Sequence, residues 1–230
     1  LRIKDIMFAG DSAAVSFHDP ESRIQFEHPW PCPMVTTDGH NSAFYLTNAR
    51  ELLDVPGEWY HDIRAGKLYY YPRQGELIEE AVVPAVETLL RVEGTLDRPV
   101  RNIRIEGLTF SYSTWMRPSL KGHVPLQAGM YLTDAYKLRP QIVGSKNHKL
   151  DNQGWLGRPV SAVVVKAAQN IDFIKCDFRH LGSTGIDYEW GTKGGSIERC
   201  CFEDISGNGI LTGSFSPEAH ETHLPYDPAD

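Results

Sequence analysis

The sequence predicts an all-β protein, a right-handed parallel β-helix with an inserted β-rich module. Three observations lead there: an internal repeat, short segments of alternating apolar residues, and weak helical patterning throughout. The repeat runs Cys176-Asp177-Phe178-Arg179-His180-Leu181-Gly182-Ser183-Thr184-Gly185-Ile186. It returns 24 residues later as Cys200-Cys201-Phe202-Glu203-Asp204-Ile205-Ser206-Gly207-Asn208-Gly209-Ile210. A weaker copy lies upstream, where residues 102–110 align with 170–178. A period of this size, with Gly or Asn at turns, indicates a solenoid, whose coils bury their apolar faces only against their neighbours.

Alternation sets the inward positions. It places Ile105, Phe173 and Ile197 on one face, with Leu108, Cys176 and Cys200 close behind. Neighbouring strands lie about 4.8 Å apart, so such residues form ladders. Phe110, Phe178 and Phe202 are expected in one stack.

The N-terminal elements have another character. Ile6-Met7-Phe8 and Ala14-Val15-Ser16-Phe17 read as strands, and residues 1–20 are assigned to β-helix strands. Residues 21–90 are assigned to the inserted module. Its centre is a hairpin, residues 57–62 and 67–72, turning at Ile63-Arg64-Ala65-Gly66. The best helix candidate is residues 48–53. Residues 91–230 are assigned to parallel coils with long loops at 113–127 and 133–159. Loops of that length in a compact domain are functional or disordered. These carry Trp115, His123, Tyr136 and Trp155, which favours ordered binding loops. Both ends read as cuts through a longer protein: Leu1 follows no Met or signal sequence, and the tail holds His223-Leu224-Pro225-Tyr226.

Composition narrows the partners. The chain has 230 residues, 30 acidic against 23 basic, and a formal charge of -7. Nucleic acid is therefore not expected, since phosphate binding needs a basic surface. No apolar run is long enough to span a bilayer. Cys32, Cys176, Cys200 and Cys201 lack metal-ligand spacing, so no metal site is expected. The composition does not fix an oligomeric state.

Several motifs together resemble a known family. They are Ser22-Arg23-Ile24-Gln25-Phe26-Glu27-His28-Pro29-Trp30-Pro31, Pro56-Gly57-Glu58-Trp59-Tyr60, Lys67-Leu68-Tyr69-Tyr70-Tyr71-Pro72, and residues 151–159 and 181–191. Glu221-Thr222-His223-Leu224-Pro225-Tyr226 is the last. The set is similar to the β-helix proteins of glycoside hydrolase family 141 and their bacterial relatives, over nearly the whole chain. Gly182-Ser183-Thr184-Gly185-Ile186-Asp187-Tyr188-Glu189-Trp190-Gly191 is the more specific stretch. The resemblance implies a secreted or periplasmic bacterial glycosidase, acting on plant-type or other complex glycans, with no cofactor. It also implies further coils beyond Asp230.

Glycoside hydrolysis needs two carboxylates across the scissile bond. Asp187 and Glu189 are two apart in a strand, so they share a face, with Ile186 and Tyr188 opposite. Two residues along a strand span roughly 6.6 Å, within reach of the separations of about 5 to 9.5 Å that such enzymes use. The strand departs from the repeat, because Leu211 and Gly213 take these positions in the next coil. The plain alternative is that outward acids on a solenoid are only solvated. Asp204, at the repeat position of His180, is a third catalytic candidate or else a turn residue. Trp190, Trp115, Trp155, His123 and His223 are candidates for substrate binding; buried anchoring of the loop tryptophans is the competing reading.

Two other functions fit the same fold. A polysaccharide lyase needs a basic residue, with calcium held by acids such as Asp187 and Glu189. A glycan-binding segment without catalysis is the other.

Overall fold

In the computed structural model, residues 1–27, 42–135 and 154–213 are described. They form two compact units, residues 1–32 with 84–230, and residues 33–83.

In chain order the elements are β1 (Ile3–Ala9), β2 (Ser12–Phe17), α1 (Glu21–Glu27), a 3-10 turn (Arg50–Leu52), β3 (Trp59–Asp62) and β4 (Lys67–Tyr70). The parallel strands begin with β5 (Leu90–Glu93), β6 (Val100–Glu106) and β7 (Thr109–Ser113). An excursion follows: α2 (Arg117–Lys121), a 3-10 turn (Gln127–Gly129), β8 (Tyr131–Ala135) and β9 (Gly154–Gly157). The chain then continues through β10 (Ser161–Lys166), β11 (Ala168–Ile174), β12 (Asp177–Leu181), β13 (Thr184–Tyr188), β14 (Ile197–Glu198), β15 (Cys201–Ile205) and β16 (Ile210–Thr212).

These later strands build three parallel sheets, ordered β16-β13-β10-β5, β14-β11-β6 and β15-β12-β7. Every circuit of the chain adds one strand to each sheet. The registers match the repeat: Phe178 pairs with Phe110 and Phe202, and Phe173 with Ile105 and Ile197. The phenylalanine rings stack at 5.0 and 4.6 Å between centroids. Around them Val163, Val165, Ile171, Cys176, Leu181 and Ile186 complete one core. Alternation puts these side chains inward because successive strand residues point to opposite faces.

The corners recur as well. Gly107, Lys175 and Arg199 occupy one corner in successive circuits, all with φ between 51° and 68°. Glycine takes this left-handed conformation without steric cost, whereas Lys175 and Arg199 adopt it against a preference of about 1–2 kcal/mol. At another corner Asn170 donates to Asn102 at 3.0 Å, a side-chain bond linking two circuits.

Residues 1–20 differ from expectation. β1 and β2 pair antiparallel in a sheet of their own, joined through Gly10-Asp11, instead of adding strands to the parallel sheets. Alternation reveals a strand but not its partner; the two-residue Gly-Asp turn was the signal for a hairpin. The compact second unit, residues 33–83, is narrower than the 21–90 module expected from sequence. The reason lies in α1, whose Ile24 is buried with Val124, Leu132 and Leu156 of the first unit. Arg2 adds a clamp, reaching Glu21 at 2.7 Å and the Leu120 carbonyl at 2.6 Å. The 113–127 stretch is also not wholly irregular, since Pro118 helps start α2, where a missing N–H costs nothing.

Within the second unit, β3 and β4 form the expected antiparallel hairpin. Tyr60 and Tyr69 stack across it, and the Arg50 guanidinium lies 4.6 Å over the Tyr69 ring. The short helical turn thus falls where residues 48–53 were expected to form one.

Candidate active site

The sheet containing β13 presents two rows of outward residues. One row runs Arg91, Val164, Asp187, Leu211, in register across four strands. The second begins with Glu93 beside Lys166, and Glu189 follows at the end of β13. Ile186 and Tyr188, between the two acids, pack into the core. One strand therefore anchors both carboxylates from behind, as its alternation predicts.

The two acids have unlike surroundings. Asp187 is 1 % exposed although it faces away from the core. The cover is Arg158, from the connection between β9 and β10. Its Nε donates to Oδ2 and its Nη2 to Oδ1, both at 2.6 Å. A two-pronged pair of this geometry is among the strongest that carboxylates make. The position of Arg158 is fixed on both sides. Gly157 lies under the Tyr131 ring, where a Cβ has no room, and Pro159 is buried.

Glu189 is only partly covered. Burial pushes its pKa above the ordinary carboxylate value, and the nearby Asp187 charge pushes it further. Lys166 and Arg158 act in the opposite direction. The Lys166 ammonium lies 3.8 Å from Glu189 and 5.2 Å from the centre of the Trp190 ring. The backbone holds Glu189 in turn: its N–H donates to Val165 O at 2.8 Å, and its carbonyl accepts from the Thr192 hydroxyl at 2.8 Å.

Trp190 thus falls beside the acid pair. Trp115 and His123 fall in a different cluster, with ring centres 5.0 Å apart and Tyr131 within 6 Å of both. Arg117 lies 4.2 Å over the Tyr131 ring. Burial lowers the His123 pKa, and Arg117 lowers it further. Through Tyr131 and Gly157 this cluster packs one residue away from Arg158.

Asp204 is on another sheet, in β15, with an exposed side chain and a 2.7 Å contact to His180 Nδ1. It is not brought to the β13 pair by its strand. Trp155 lies in β9, opposite Asp134; its side chain is outside the described residues, as is the whole of His223. Sequence reasoning missed Arg158 and Lys166. Arg158 lay in a quoted motif, Gly157-Arg158-Pro159, without a role. Lys166 was recoverable from the coil alignment, which sets it beside Glu189. Arg179, on β12 of another sheet, contacts Asp177 and Glu203.

Residues 1–73 match the domain described as "GH141 insertion domain". A solved chain titled "Glycoside hydrolase" is 68% identical, with a TM-score of 0.89, covering 100% of this chain and 39% of that one. No curated protein matches. The chain is GH141-like, and it spans about two fifths of the length of that solved relative.

Proposed function

We propose that the chain is part of a glycoside hydrolase, with Glu189 as the proton donor to the leaving oxygen and Asp187 as its charged partner. The observation that carries this is the contrast between the two acids. Glu189 is held toward its protonated form by burial and by Asp187, while Asp187 is locked to Arg158. Two neighbouring carboxyl groups in environments that push them apart are the usual arrangement of an acid and its partner. The 68% identity to a chain titled "Glycoside hydrolase" supports the reaction class.

The three parallel sheets are the faces of a right-handed β-helix, each turn adding one strand to each face. Parallel strand connections are right-handed in about 98% of cases, and that hand suits this topology. Trp190 offers a ring for the apolar face of a sugar, and the Trp115–His123–Tyr131 cluster offers a wall further along. A complex, plant-type polysaccharide as substrate, and a secreted or periplasmic setting, follow from the family resemblance. Among the described residues no helix is long and apolar enough to cross a membrane.

The test is product analysis with the intact protein on plant cell-wall polysaccharides. Hydrolysis gives new reducing ends without near-ultraviolet absorbance. An unsaturated, absorbing product identifies a lyase instead. Glycan binding by calorimetry without turnover identifies a binding module.

A further inference from the structure

We propose that Arg158 is a positioning residue of this site: by taking both oxygens of Asp187 it fixes that carboxylate as a standing charge behind Glu189, and so decides which acid carries the exchangeable proton. The inference rests on the reading of Glu189 as the proton donor with Asp187 as its charged partner.

The geometry separates this role from simple packing. Both Arg158–Asp187 bonds are 2.6 Å, and the carboxylate is closed off from solvent. A charge buried this way persists only while its counter-ion is present; without it, the group takes up a proton instead. The charged groups facing Glu189 can be named element by element. They are Asp187 on its own strand, Lys166 on β10, Glu93 on β5, which itself contacts Arg91 at 2.9 Å, and Arg158 from the β9–β10 connection. Of these, Asp187 opposes ionisation of Glu189 most strongly, more than Arg158 favours it. Removing Arg158 therefore acts through Asp187. The neutralised Asp187 no longer repels charge on Glu189, and Glu189 gives up its proton at lower pH.

The experiment is carbon-13 NMR titration of the chain, with side-chain carboxyls of Asp and Glu labelled, for wild type, Arg158→Lys, Arg158→Gln and Arg158→Gln/Asp187→Asn. In Arg158→Gln, the Glu189 midpoint should fall. Arg158→Lys, which keeps the charge, should leave Glu189 near its wild-type midpoint. The double variant removes both ends of the pair, so it carries the test if Arg158→Gln does not fold; its Glu189 midpoint should also fall. An unmoved Glu189 midpoint in Arg158→Gln, or in the double variant, overturns the proposal, as does an equal fall in Arg158→Lys. The titration needs no turnover. If the protein hydrolyses no glycan, the functional reading fails while this result still stands. If hydrolysis is intact but the midpoint does not move, only the role of Arg158 fails.

Discussion

Arg158 grips Asp187 with two hydrogen bonds of 2.6 Å, so an acid that faces outward from its sheet is nonetheless sealed from water. Breaking one side of such a pair leaves a buried carboxyl group that must stay charged without a partner or take up a proton, and either costs stability. Arg158→Leu should therefore destabilise the chain by about 3–5 kcal/mol, whereas Arg158→Leu combined with Asp187→Leu should recover much of the loss. Urea unfolding of the chain measures both. Equal loss in the single and double variants would mean that the site tolerates no apolar replacement.

The Phe110–Phe178–Phe202 stack runs through the core between the parallel sheets. Phe178 is fully buried in its middle, so Phe178→Ala should cost about 3–5 kcal/mol through lost contacts and a cavity. Phe178→Asp should cost more, because it buries an unpaired charge. Thermal unfolding near wild type for either variant would count against the stack.

Glu189 should weaken the fold at neutral pH. Its folded pKa is raised, so its contribution is fully present below the ordinary glutamate range and is lost as pH rises through the folded value. Glu189→Gln should therefore melt higher than wild type at neutral pH, with the difference closing as pH falls below the ordinary Glu range. A gap that does not depend on pH would mean that ionisation of Glu189 is not the cause.

The strand register also orders the thiols. Cys176 is buried, Cys200 half-buried and Cys201 exposed. Burial raises the Cys200 pKa, which further lowers its thiolate fraction. Mass spectrometry after alkylation of the native chain should find Cys201 labelled before Cys200, with Cys176 labelled only on unfolding. Early labelling of Cys176 would contradict the inward ladder.

Much of the parallel-sheet architecture was legible in the sequence because its core is periodic. The recurrence at Phe178 and Phe202 fixed both the parallel pairing and the register, and the inward Ile186 and Tyr188 placed Asp187 and Glu189 on one outer face. What alternation could not supply was the partner of an isolated strand, so β1 and β2 were assigned to the parallel sheets. Nor could it show that Asp187 is buried. The cover comes from Arg158, 29 residues away and outside any repeat, and no periodic signal links the two. Asp204 shows the converse: it shares the coil repeat with the site strand, but the corner that follows puts it on another sheet.

Leaving-group dependence tests the role of Glu189 as proton donor most directly. Turnover of the intact protein and its Glu189→Gln variant should be compared on a natural glycan and on an aryl glycoside with an acidic phenol. Protonation helps a poor leaving group and not a good one, so the variant should lose about 10²–10⁴-fold on the glycan and far less on the aryl glycoside. Near-normal turnover of the natural glycan, or the same loss on both substrates, would contradict the assignment.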